Sequence, residues 1–399
     1  MNILIANTQE FNPQIGGVEK VSSILAEEFV QRGHNVFFLA CVQSPYSKEY
    51  TPVVSQILLP DSQNYDSVEN VTVFVEVLRK YQIDIVMNQA GNIYEFSNLC
   101  FVSAELYEKV KVISVVHIDP VYSLKAISDF SSSILPKGSI FRTIARRVLY
   151  PYRYVSAFFK EKKLYSFVYS KSLKVVLLSS YFKKNFQHLV PHADATKLTA
   201  ILNPSAGNLC HCSMKKENAL LYIGRLDFAH KRVDRLLEIW ARMYKDFPDW
   251  RLDIVGDGPI RAELEMYVRK NNIDNVHFAG ITAPFDYYSK AQILCMTSTY
   301  EGFPMVLLEG MRYGCIPISY DSFESIHEII INGKNGYIIP SFNKRSYEVH
   351  LRKLMETSVL RDSMNNNLQR GIEKFDLHHI ADEWITLFTT CTVKLNGEV

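Results

Sequence analysis

Residues 293–311 read ILCMTSTYEGFPMVLLEGM, and this stretch decides the fold class. A short apolar run, ILCMTS, is followed by a loop that contains Gly302, and Pro304 then begins a segment of helical period. A buried strand that ends in a glycine loop and leads into a helix is the repeating unit of a parallel sheet covered by helices. The stretch therefore predicts an α/β protein.

The same alternation of short apolar runs and longer helical segments occurs along the whole chain. Predicted strands of the first half are residues 3–6, 36–40, 53–59, 83–88, 112–116, 175–179 and 199–202. Predicted strands of the second half are residues 220–225, 252–256, 275–280, 293–298, 315–320 and 336–340. Each half is expected to form a doubly wound, Rossmann-like parallel sheet.

The domain boundaries follow from the composition between the two halves. Residues 203–218 contain Pro204, Gly207 and several serine and lysine residues, which is typical of a linker. The expected domains are residues 1–202 and 219–375, with a closing helix in 376–399 that can return to the first domain. Two such sheets would place the carboxyl ends of their strands around one cleft, where α/β proteins bind ligands.

Composition and charge restrict the function classes. The chain has 399 residues, of which 47% are apolar and 22% are charged, so it is neither wholly disordered nor a polytopic membrane protein. Its 44 Lys and Arg residues against 42 Asp and Glu residues give a net charge of +2, which disfavours a protein that coats nucleic acid. Any basic partner surface must be local.

Cysteine usage and the chain's start indicate a cytoplasmic protein without a metal. The 7 cysteines are odd in number and lie mostly in apolar runs, as reduced thiols do. The segment Cys210–Cys212 lacks a second pair at zinc-ligand spacing, so it is interpreted as an inert loop. The N-terminus has no basic leader, and no stretch reaches the roughly 18 apolar residues of a membrane span.

The quoted stretch also carries chemistry, because Glu301 lies in its loop and Glu309 in its helix. At about 1.5 Å rise per residue, Glu309 is roughly 7–8 Å from the helix N-terminus, about the distance from a nucleotide's phosphates to its ribose. A diphosphate at the helix end could then coexist with Glu309 on the ribose hydroxyls. The alternative is a structural glutamate pair, but two uncompensated carboxylates would be costly in so apolar a segment.

Other candidates follow other strands. Arg225 and Lys231 bracket the loop after the strand LLYIGR, and two converging cations suit a diphosphate leaving group, although surface salt bridges are the alternative. Gly16 and Gly17 open a helix after the first strand, which fits either a phosphate or a tight turn. The segment GDGP, residues 256–259, is interpreted as turn geometry, because it lacks the rest of a nicotinamide-binding fingerprint.

A histidine, His117, stands where the fifth predicted strand stops. A lone histidine is usually a satisfied structural residue. Its position at a strand's carboxyl end, facing the expected cleft, equally favours catalysis or orientation of a substrate.

The region 137–174 is unusually basic and aromatic. Its basic residues are 137, 142, 146, 147, 153, 160, 162, 163, 171 and 174, against the single acid Glu161, and aromatic residues are interleaved from Phe141 to Tyr169. Basic residues attract an anionic leaflet and Tyr and Phe favour the headgroup zone, so the preferred interpretation is peripheral membrane contact. A solvated helical face and nucleic-acid binding are the alternatives, nucleic acid being the least favoured.

Taken together, the segments GGVE, GRLDFAHKR, GDGP and EGFPMVLLEGM resemble the retaining GT-B glycosyltransferases of family 4, the glycosyl transferases group 1. The resemblance implies two Rossmann-like domains that face a central cleft, an acceptor held by the first domain, a nucleotide-sugar donor held by the second, and no obligatory metal or other cofactor. Gly310 stands where many members have alanine, and it is expected to lower the stability of its helix by about 0.5–1 kcal/mol.

The resemblance also implies roles for individual residues. The donor diphosphate is assigned to Gly16, Gly17, Arg225, Lys231 and Val306, the ribose to Glu309, the base to Gly280 and Ile281, the transferred sugar to Glu301, Gly302, Phe303, Pro304 and Met305, and catalysis to His117, Glu301, Arg225 and Lys231. The implied reaction is front-face transfer with retention, in which the leaving phosphate helps to take the acceptor's proton.

The expected function is transfer of a hexose or N-acetylhexosamine, from a UDP-sugar as first choice, to a saccharide acceptor. The basic aromatic region favours a lipid-linked acceptor at the inner face of a bacterial membrane, in the synthesis of a surface polysaccharide such as capsule or lipopolysaccharide; a soluble acceptor is the second choice. Rival hypotheses are a catalytically silent nucleotide-binding protein of the same fold and a GT-B epimerase or phosphorylase.

Overall fold

A computed structural model of the chain describes residues 1–44, 52–133, 150–205 and 216–393, without the side chains of 128–133 and 393. The chain divides into two compact units. Unit 1 comprises Met1–Asn203 and His378–Val399, and unit 2 comprises Pro204–Leu377. Residues 206–215 of the predicted linker, with Cys210 and Cys212, lie outside the described residues.

Unit 1 is built on a seven-stranded sheet in which all pairs are parallel. Its strands are β1 (Asn2–Gln9), β2 (Asn35–Val42), β3 (Gln56–Leu58), β4 (Ile85–Asn88), β5 (Lys111–Val116), β6 (Lys174–Leu177) and β7 (Leu198–Ala200). The order in the sheet is β3-β2-β1-β4-β5-β6-β7, so the direction of winding reverses between β1 and β4. The residues Ile3 to Ala6 of β1 are fully buried because helices cover both faces of such a sheet, which explains its continuous apolar run.

The helices of unit 1 follow the strands in sequence. They are α1 (Gly17–Gln31), α2 (Val68–Lys80), α3 (Tyr94–Tyr107), α4 (Tyr122–Ser133), α5 (Tyr150–Lys171) and α6 (Phe182–Leu189). The start of α2 is set by Ser67, whose Oγ accepts a hydrogen bond from the Asn70 N–H at 3.3 Å. A second buried serine, Ser97, receives a hydrogen bond from the Asn88 amide at 3.0 Å and joins α3 to the end of β4.

Unit 2 repeats the architecture with a six-stranded parallel sheet. Its strands are β8 (Ala219–Ile223), β9 (Arg251–Val255), β10 (Val276–Gly280), β11 (Ile293–Met296), β12 (Ile316–Asp321) and β13 (Tyr337–Pro340). Its α-helices are α7 (Val233–Trp240), α8 (Arg261–Lys270), α9 (Phe285–Lys290), α10 (Met305–Arg312), α11 (Ile326–Ile329), α12 (Lys344–Glu356) and α13 (Ser358–Ile372). The order β10-β9-β8-β11-β12-β13 reverses between β8 and β11.

The last helix, α14 (Leu377–Val393), belongs to unit 1 from His378 onward and packs near α1. Glu28 of α1 lies 2.7 Å from His378 Nδ1, and Arg32 forms an ion pair with Asp382. The rings of Phe29 and Phe388 meet edge to face at 5.6 Å. Charged contacts and an aromatic contact therefore attach the end of the chain to α1.

The predicted fold class is confirmed, and each predicted strand overlaps an observed one. The prediction is too long at residues 53–59, where only Gln56–Leu58 form β3. This strand lies at the edge of the sheet and pairs with β2 alone. The apolar run in the sequence is therefore longer than the part that forms hydrogen bonds with a neighbouring strand.

Candidate functional site

Two loops of unit 2 meet where its strand order reverses. One follows β8 and the other follows β11, and these strands are neighbours in the sheet. The Thr299 N–H donates to the His230 carbonyl at 2.7 Å, and Thr297 Oγ1 donates to the Arg232 carbonyl at 2.9 Å. The carboxyl ends of the strands at such a reversal are where open α/β sheets bind ligands.

The predicted residues Lys231 and Glu301 form an ion pair across these loops. Lys231 Nζ lies 2.7 Å from Glu301 Oε1, and the two side chains are only 25% and 12% exposed. Ser298 Oγ donates to the same carboxylate oxygen at 2.6 Å. The premise that the glutamates of this segment have no compensating partner is therefore wrong for Glu301, because its partner comes from a loop that is distant in sequence.

Asp227 organises the β8 loop, although sequence reasoning gave it no role. Its carboxylate accepts from Arg225 Nε at 3.0 Å, from the His230 N–H at 2.6 Å and from the Lys231 N–H at 3.2 Å. Partial burial pushes the pKa of Asp227 upward, but the hydrogen bonds from His230, Arg225 and Lys231 outweigh it and hold the pKa below its usual value. One carboxylate thus holds the Arg225 side chain and the Lys231 backbone, which belong to two of the five predicted diphosphate ligands.

The glycines of this region allow two loops to touch. Gly256 has φ of +128°, and a Cβ there would lie 2.1 Å from the Gly224 carbonyl oxygen. A Cβ on Gly258 would lie 2.3 Å from the Leu226 carbonyl oxygen, and the Leu226 N–H donates to the Asp257 carbonyl at 2.9 Å. The interpretation of GDGP as turn geometry agrees with these contacts, since its glycines let the loop after β9 support the Arg225 loop.

Helix α10 begins directly after the Glu301 loop. Its first residue is Met305, Pro304 is the N-cap, and no side chain of the described residues caps it by hydrogen bonding. The first turn carries no acidic residue, so its positive end is not neutralised from within the helix. Phe303 and Met305 are largely buried and hold the loop, whereas Gly302 and Val306 are half-buried.

Glu309 lies in the second turn of α10, where sequence analysis assigned the ribose. Its Oε2 accepts from the Tyr288 hydroxyl at 2.9 Å. Tyr288 is itself stacked on Tyr313, with ring centroids 5.7 Å apart and an interplanar angle of 2°. Burial, together with the charge of Glu309, raises the pKa of Tyr288 well above its usual value, so the hydroxyl remains a donor that orients the carboxylate.

Gly310 has a packing reason that the sequence did not show. A Cβ at this position would lie 2.6 Å from Leu294 Cδ2 and 3.5 Å from Cys315 Cβ. Leu294 in β11 and Cys315, which directly precedes β12, are both buried, so they have little room to move. Glycine therefore lets α10 lie close to β11, and the expected cost in helix propensity is offset by this close approach.

The predicted base-binding positions lie at the end of β10. Gly280 has φ of +70°, and its carbonyl accepts from the Gly256 N–H at 2.8 Å. The next residue, Ile281, is 83% exposed. An exposed aliphatic side chain near the loops after β8 and β9 could pack on a planar base. The role of Gly280 and Ile281 in binding the base stays a prediction.

In unit 1, the predicted glycines stand at the start of α1, with Gly16 as the N-cap and Gly17 as the first helical residue. Glu19 lies in the first turn, and its Oε1 accepts from the Asn7 amide at 3.0 Å. A Cβ on Gly16 would lie 2.7 Å from Glu19 Oε2, so glycine makes room for this carboxylate. Burial raises the pKa of Glu19. The hydrogen bonds that its carboxylate accepts from its own N–H and from Asn7 lower the pKa, but by less.

His117 follows the last residue of β5 and is buried. Its Nε2 donates to the side-chain oxygen of Gln89 at 2.5 Å, and Gln89 in turn follows β4, the neighbouring strand. Burial lowers the pKa of His117 to about 4, so the imidazole is neutral at physiological pH. Sequence reasoning missed Gln89, because only the sheet brings the ends of β4 and β5 together.

The basic aromatic region is described only in part. Residues 134–149, with Lys137, Phe141, Arg142, Arg146 and Arg147, lie outside the described residues. The remainder forms α5 and the start of β6. None of the described helices is both long and apolar enough to cross a membrane.

The fold and these motifs agree with comparisons to known proteins. The sequence model of the Glycosyltransferase Family 4 matches residues 15–204, and that of Glycosyl transferases group 1 matches residues 212–371. The solved structure of Anabaena Alr3699/HepE in complex with UDP is similar with a TM-score of 0.73 and 15% identity, over 98% of this chain and 100% of that one.

Two relatives are similar in sequence. One is the amylovoran biosynthesis glycosyltransferase AmsD of Erwinia amylovora, 28% identical over 56% of this chain and 64% of that protein. The other is the GalNAc-alpha-(1->4)-GalNAc-alpha-(1->3)-diNAcBac-PP-undecaprenol alpha-1,4-N-acetyl-D-galactosaminyltransferase of Campylobacter jejuni, 27% identical over 65% of this chain and 67% of that protein. The chain thus spans about two thirds of the length of these two relatives.

The two family models together match most of the chain, each on one of the two parallel-sheet units, and the relatives and the solved structure agree with them. This chain therefore belongs to the family 4 glycosyltransferases and has the GT-B fold.

Proposed function

We propose that this glycosyltransferase moves a hexose or N-acetylhexosamine from a nucleotide-diphosphate sugar to a saccharide acceptor with retention of configuration. The observation that carries the proposal is a pair of cations in unit 2. Lys231 forms an ion pair with Glu301, and Arg225 forms one with Asp227. Both cations are already positioned before a ligand binds, and a preorganised charge stabilises a leaving diphosphate at little reorganisation cost.

The two ion pairs differ in a way that suits this task. Arg225 Nε is held by Asp227, which is itself fixed by two backbone N–H groups, and the Arg225 side chain is 65% exposed, so its other N–H groups remain able to donate to a phosphate. Lys231 has three donor hydrogens, so it can keep Glu301 and still donate to a phosphate oxygen. Charge-assisted hydrogen bonds of this kind contribute about 1.5–3 kcal/mol each.

The other assignments in unit 2 follow from α10. The Val306 N–H and the positive end of the helix would receive a phosphate oxygen, and Glu309, held by Tyr288, would accept from the ribose hydroxyls. Glu301 and residues 302–305 would contact the transferred sugar, and Gly280 and Ile281 the base. UDP is our first choice of nucleotide, because the similar Anabaena structure contains UDP.

In unit 1, His117, Gly16 and Gly17 keep the roles that the family resemblance implies. In the proposed step the bond between the anomeric carbon and the diphosphate oxygen breaks, and the acceptor oxygen bonds to the same face of that carbon. The acceptor's proton passes to the leaving phosphate. A neutral His117 can hydrogen-bond a sugar hydroxyl without adding a charge that would compete with this transfer.

The proposed reaction needs no metal ion, because Arg225 and Lys231 supply the positive charge that a divalent cation would otherwise bring to the diphosphate. Transfer should therefore continue at an unchanged rate in excess chelator. A rate that falls in chelator and returns with Mg²⁺ or Mn²⁺ would contradict this part of the proposal.

For the acceptor we propose a lipid-linked saccharide, and for the pathway a bacterial surface polysaccharide such as capsule or lipopolysaccharide. The names of the similar proteins support this: one acts in amylovoran biosynthesis and the other on a saccharide linked to PP-undecaprenol. A cytoplasmic enzyme that works at the inner membrane face would meet such an acceptor. A soluble saccharide is the second candidate.

Ligand screening tests the proposal directly. A nucleotide at about 100 times its Kd should stabilise the protein by about 2.7 kcal/mol, so thermal shifts with UDP, GDP and ADP sugars will identify the donor. Nucleotide release in the presence of acceptor is the expected activity. Binding without any release would support a silent nucleotide-binding protein instead, and release that requires inorganic phosphate would support a phosphorylase.

A further inference from the structure

Helix α5 has two apolar faces, a buried one near its C-terminal end and an exposed one near its N-terminal end. Its inner side carries Tyr165, Val168 and Tyr169, which are buried where α5 packs on neighbouring elements of unit 1. Near its N-terminal end, Tyr152, Val155 and Phe159 are 75%, 50% and 62% exposed. A helix that only covers a core needs one apolar face, so the second face calls for another explanation.

The exposed apolar residues form one continuous stripe. Tyr152, Val155 and Phe159 follow each other at spacings of three and four residues, and such residues lie on the same side of an α-helix. We call this stripe, with the neighbouring cations Arg153, Lys160 and Lys163, the outer face of α5.

Positive charge flanks the stripe. Arg153 and Lys160 are seven residues apart, and each follows a residue of the stripe in sequence, so both flank the same side of the stripe. Lys163 lies one turn beyond Phe159. All three cations are exposed. Glu161, the acid within the sequence of α5, is half-buried and points away from the stripe by helical geometry. The outer face is therefore both apolar and cationic.

A groove adjoins the stripe between α4 and α5. It has a volume of about 490 Å³ and is lined by Ala126 and Ile127 of α4 and by Tyr152, Arg153 and Lys160 of α5, among others. Its apolar floor with two cations in its lining suits a lipid headgroup, whose phosphate is charged and whose glycerol and acyl ends are not.

We infer that the outer face of α5 docks this enzyme onto a bilayer that contains anionic phospholipids, with Tyr152, Val155 and Phe159 entering the headgroup zone and Arg153, Lys160 and Lys163 contacting lipid phosphates. Aromatic residues beside cations are the combination that favours this interface. Nucleic acid would use the cations, but it gives no reason to expose the aliphatic Val155. Docking is independent of the proposed transfer reaction, because it requires neither donor nor acceptor.

Vesicle flotation with the full chain tests the inference. The protein should float with vesicles of phosphatidylcholine and phosphatidylglycerol at low salt, and it should bind more weakly at high salt and to phosphatidylcholine alone. Lys160→Glu with Lys163→Glu should weaken partitioning to the anionic vesicles by about 30-fold, and Tyr152→Ser with Phe159→Ser by about tenfold.

Matched controls separate the outer face from general charge and stickiness. Lys80→Glu with Lys109→Glu changes the net charge by the same amount at exposed positions of unit 1, and Leu106→Ser removes a side chain that is 56% exposed. Both controls should float like the unaltered chain. Circular dichroism and nucleotide-induced thermal shifts establish that each variant is folded.

Three results would overturn the inference: no flotation of the unaltered chain with anionic vesicles at low salt, equal losses in the outer-face variants and in the controls, or loss of self-association in Phe159→Ser without any change in flotation. The last result would mean that a second copy covers the stripe. If flotation behaves as expected while nucleotide release is absent, docking stands and the proposed transfer reaction fails.

Discussion

Two helix N-termini, one in each unit, show how differently the two sheets are equipped. Helix α1 follows β1, and helix α10 follows β11; both strands lie next to the reversal of strand order in their sheets. The first turn of α1 contains the buried carboxylate Glu19, whereas the first turn of α10 contains no acid. The positive end of α1 therefore has a carboxylate of its own helix beside it, and that of α10 is not neutralised from within its helix.

The side chains around the two helices differ in the same sense. The loop after β8 in unit 2 holds the cations Arg225 and Lys231, and the ends of β4 and β5 in unit 1 hold the neutral pair Gln89 and His117. Charged groups suit a diphosphate, and neutral polar groups suit the hydroxyls of a saccharide. The difference supports the proposal that unit 2 mainly binds the charged donor and that unit 1 mainly contacts uncharged hydroxyl groups.

Removing a cation of unit 2 should have the largest effect on turnover. Lys231→Ala and Arg225→Ala should each lower kcat by roughly 10²–10³, the usual loss when one preorganised charge stabiliser is removed. Lys231→Arg should restore part of the rate. Turnover is measured by nucleotide release, with Lys270→Ala as the control on an exposed helix. Nearly normal rates in both alanine variants would remove the basis for the comparison.

The next prediction concerns the neutral side. Burial lowers the pKa of His117 to about 4 in the folded chain, against about 6.5 when unfolded. The stability that neutral His117 permits is present above pH 6.5 and is lost as the pH falls toward 4, by about 3 kcal/mol. His117→Asn should therefore make the unfolding of unit 1 less sensitive to acid between pH 6.5 and 4. Parallel curves for both proteins would show that His117 does not titrate as described.

A smaller effect should sharpen the assignment of α10. Tyr288→Phe removes the hydroxyl that donates to Glu309 at 2.9 Å and leaves the ring stack on Tyr313 intact. Loss of one hydrogen bond to a charged group, about 1.5 kcal/mol, should raise the Kd of the donor about tenfold and leave kcat nearly unchanged. Calorimetric titration with the nucleotide measures it. A fall in kcat with unchanged affinity would place Glu309 elsewhere in the reaction.

The smallest effect belongs to the start of α1. Glu19→Gln keeps the shape of the side chain but removes a charge that burial disfavours, so the free energy of unfolding at neutral pH should rise by about 0.3–1 kcal/mol, the scale of a charge at a helix N-terminus. The pKa of Glu19 is raised, so the stability from its neutral form is present at low pH and lost as the pH rises. The variant should remove this loss. A strong fall in donor affinity would contradict this structural role of Glu19, because it would mean that the carboxylate also supports the diphosphate contact proposed for Gly16 and Gly17.

The sequence predicted the fold well, because each strand of these sheets is a short apolar run followed by a polar loop. Local periodicity was enough to interpret the stretch ILCMTSTYEGFPMVLLEGM as a strand, a loop and a helix. The family motifs in unit 2 also lie in short, continuous loop sequences. Membership of family 4 is confirmed for the same reason.

Contacts between distant segments could not be predicted. The Lys231–Glu301 pair joins two loops that follow different strands, and Gln89 meets His117 only because β4 and β5 are neighbours. Tyr288 of α9 donates a hydrogen bond to Glu309 of the next helix, α10. Such partners depend on strand order and helix packing, so the assigned roles of the site residues stay predictions.

The central role proposed for unit 2 is that its cations Arg225 and Lys231 bind the diphosphate of the donor. Calorimetric titration of UDP and uridine, or of the nucleotide and nucleoside that the thermal screen identifies, tests it with the unaltered chain, Arg225→Ala and Lys231→Ala. We predict that each variant raises the Kd of the nucleoside diphosphate by about tenfold or more and leaves that of the nucleoside unchanged. Equal changes for both ligands, or none for either, would contradict the claim.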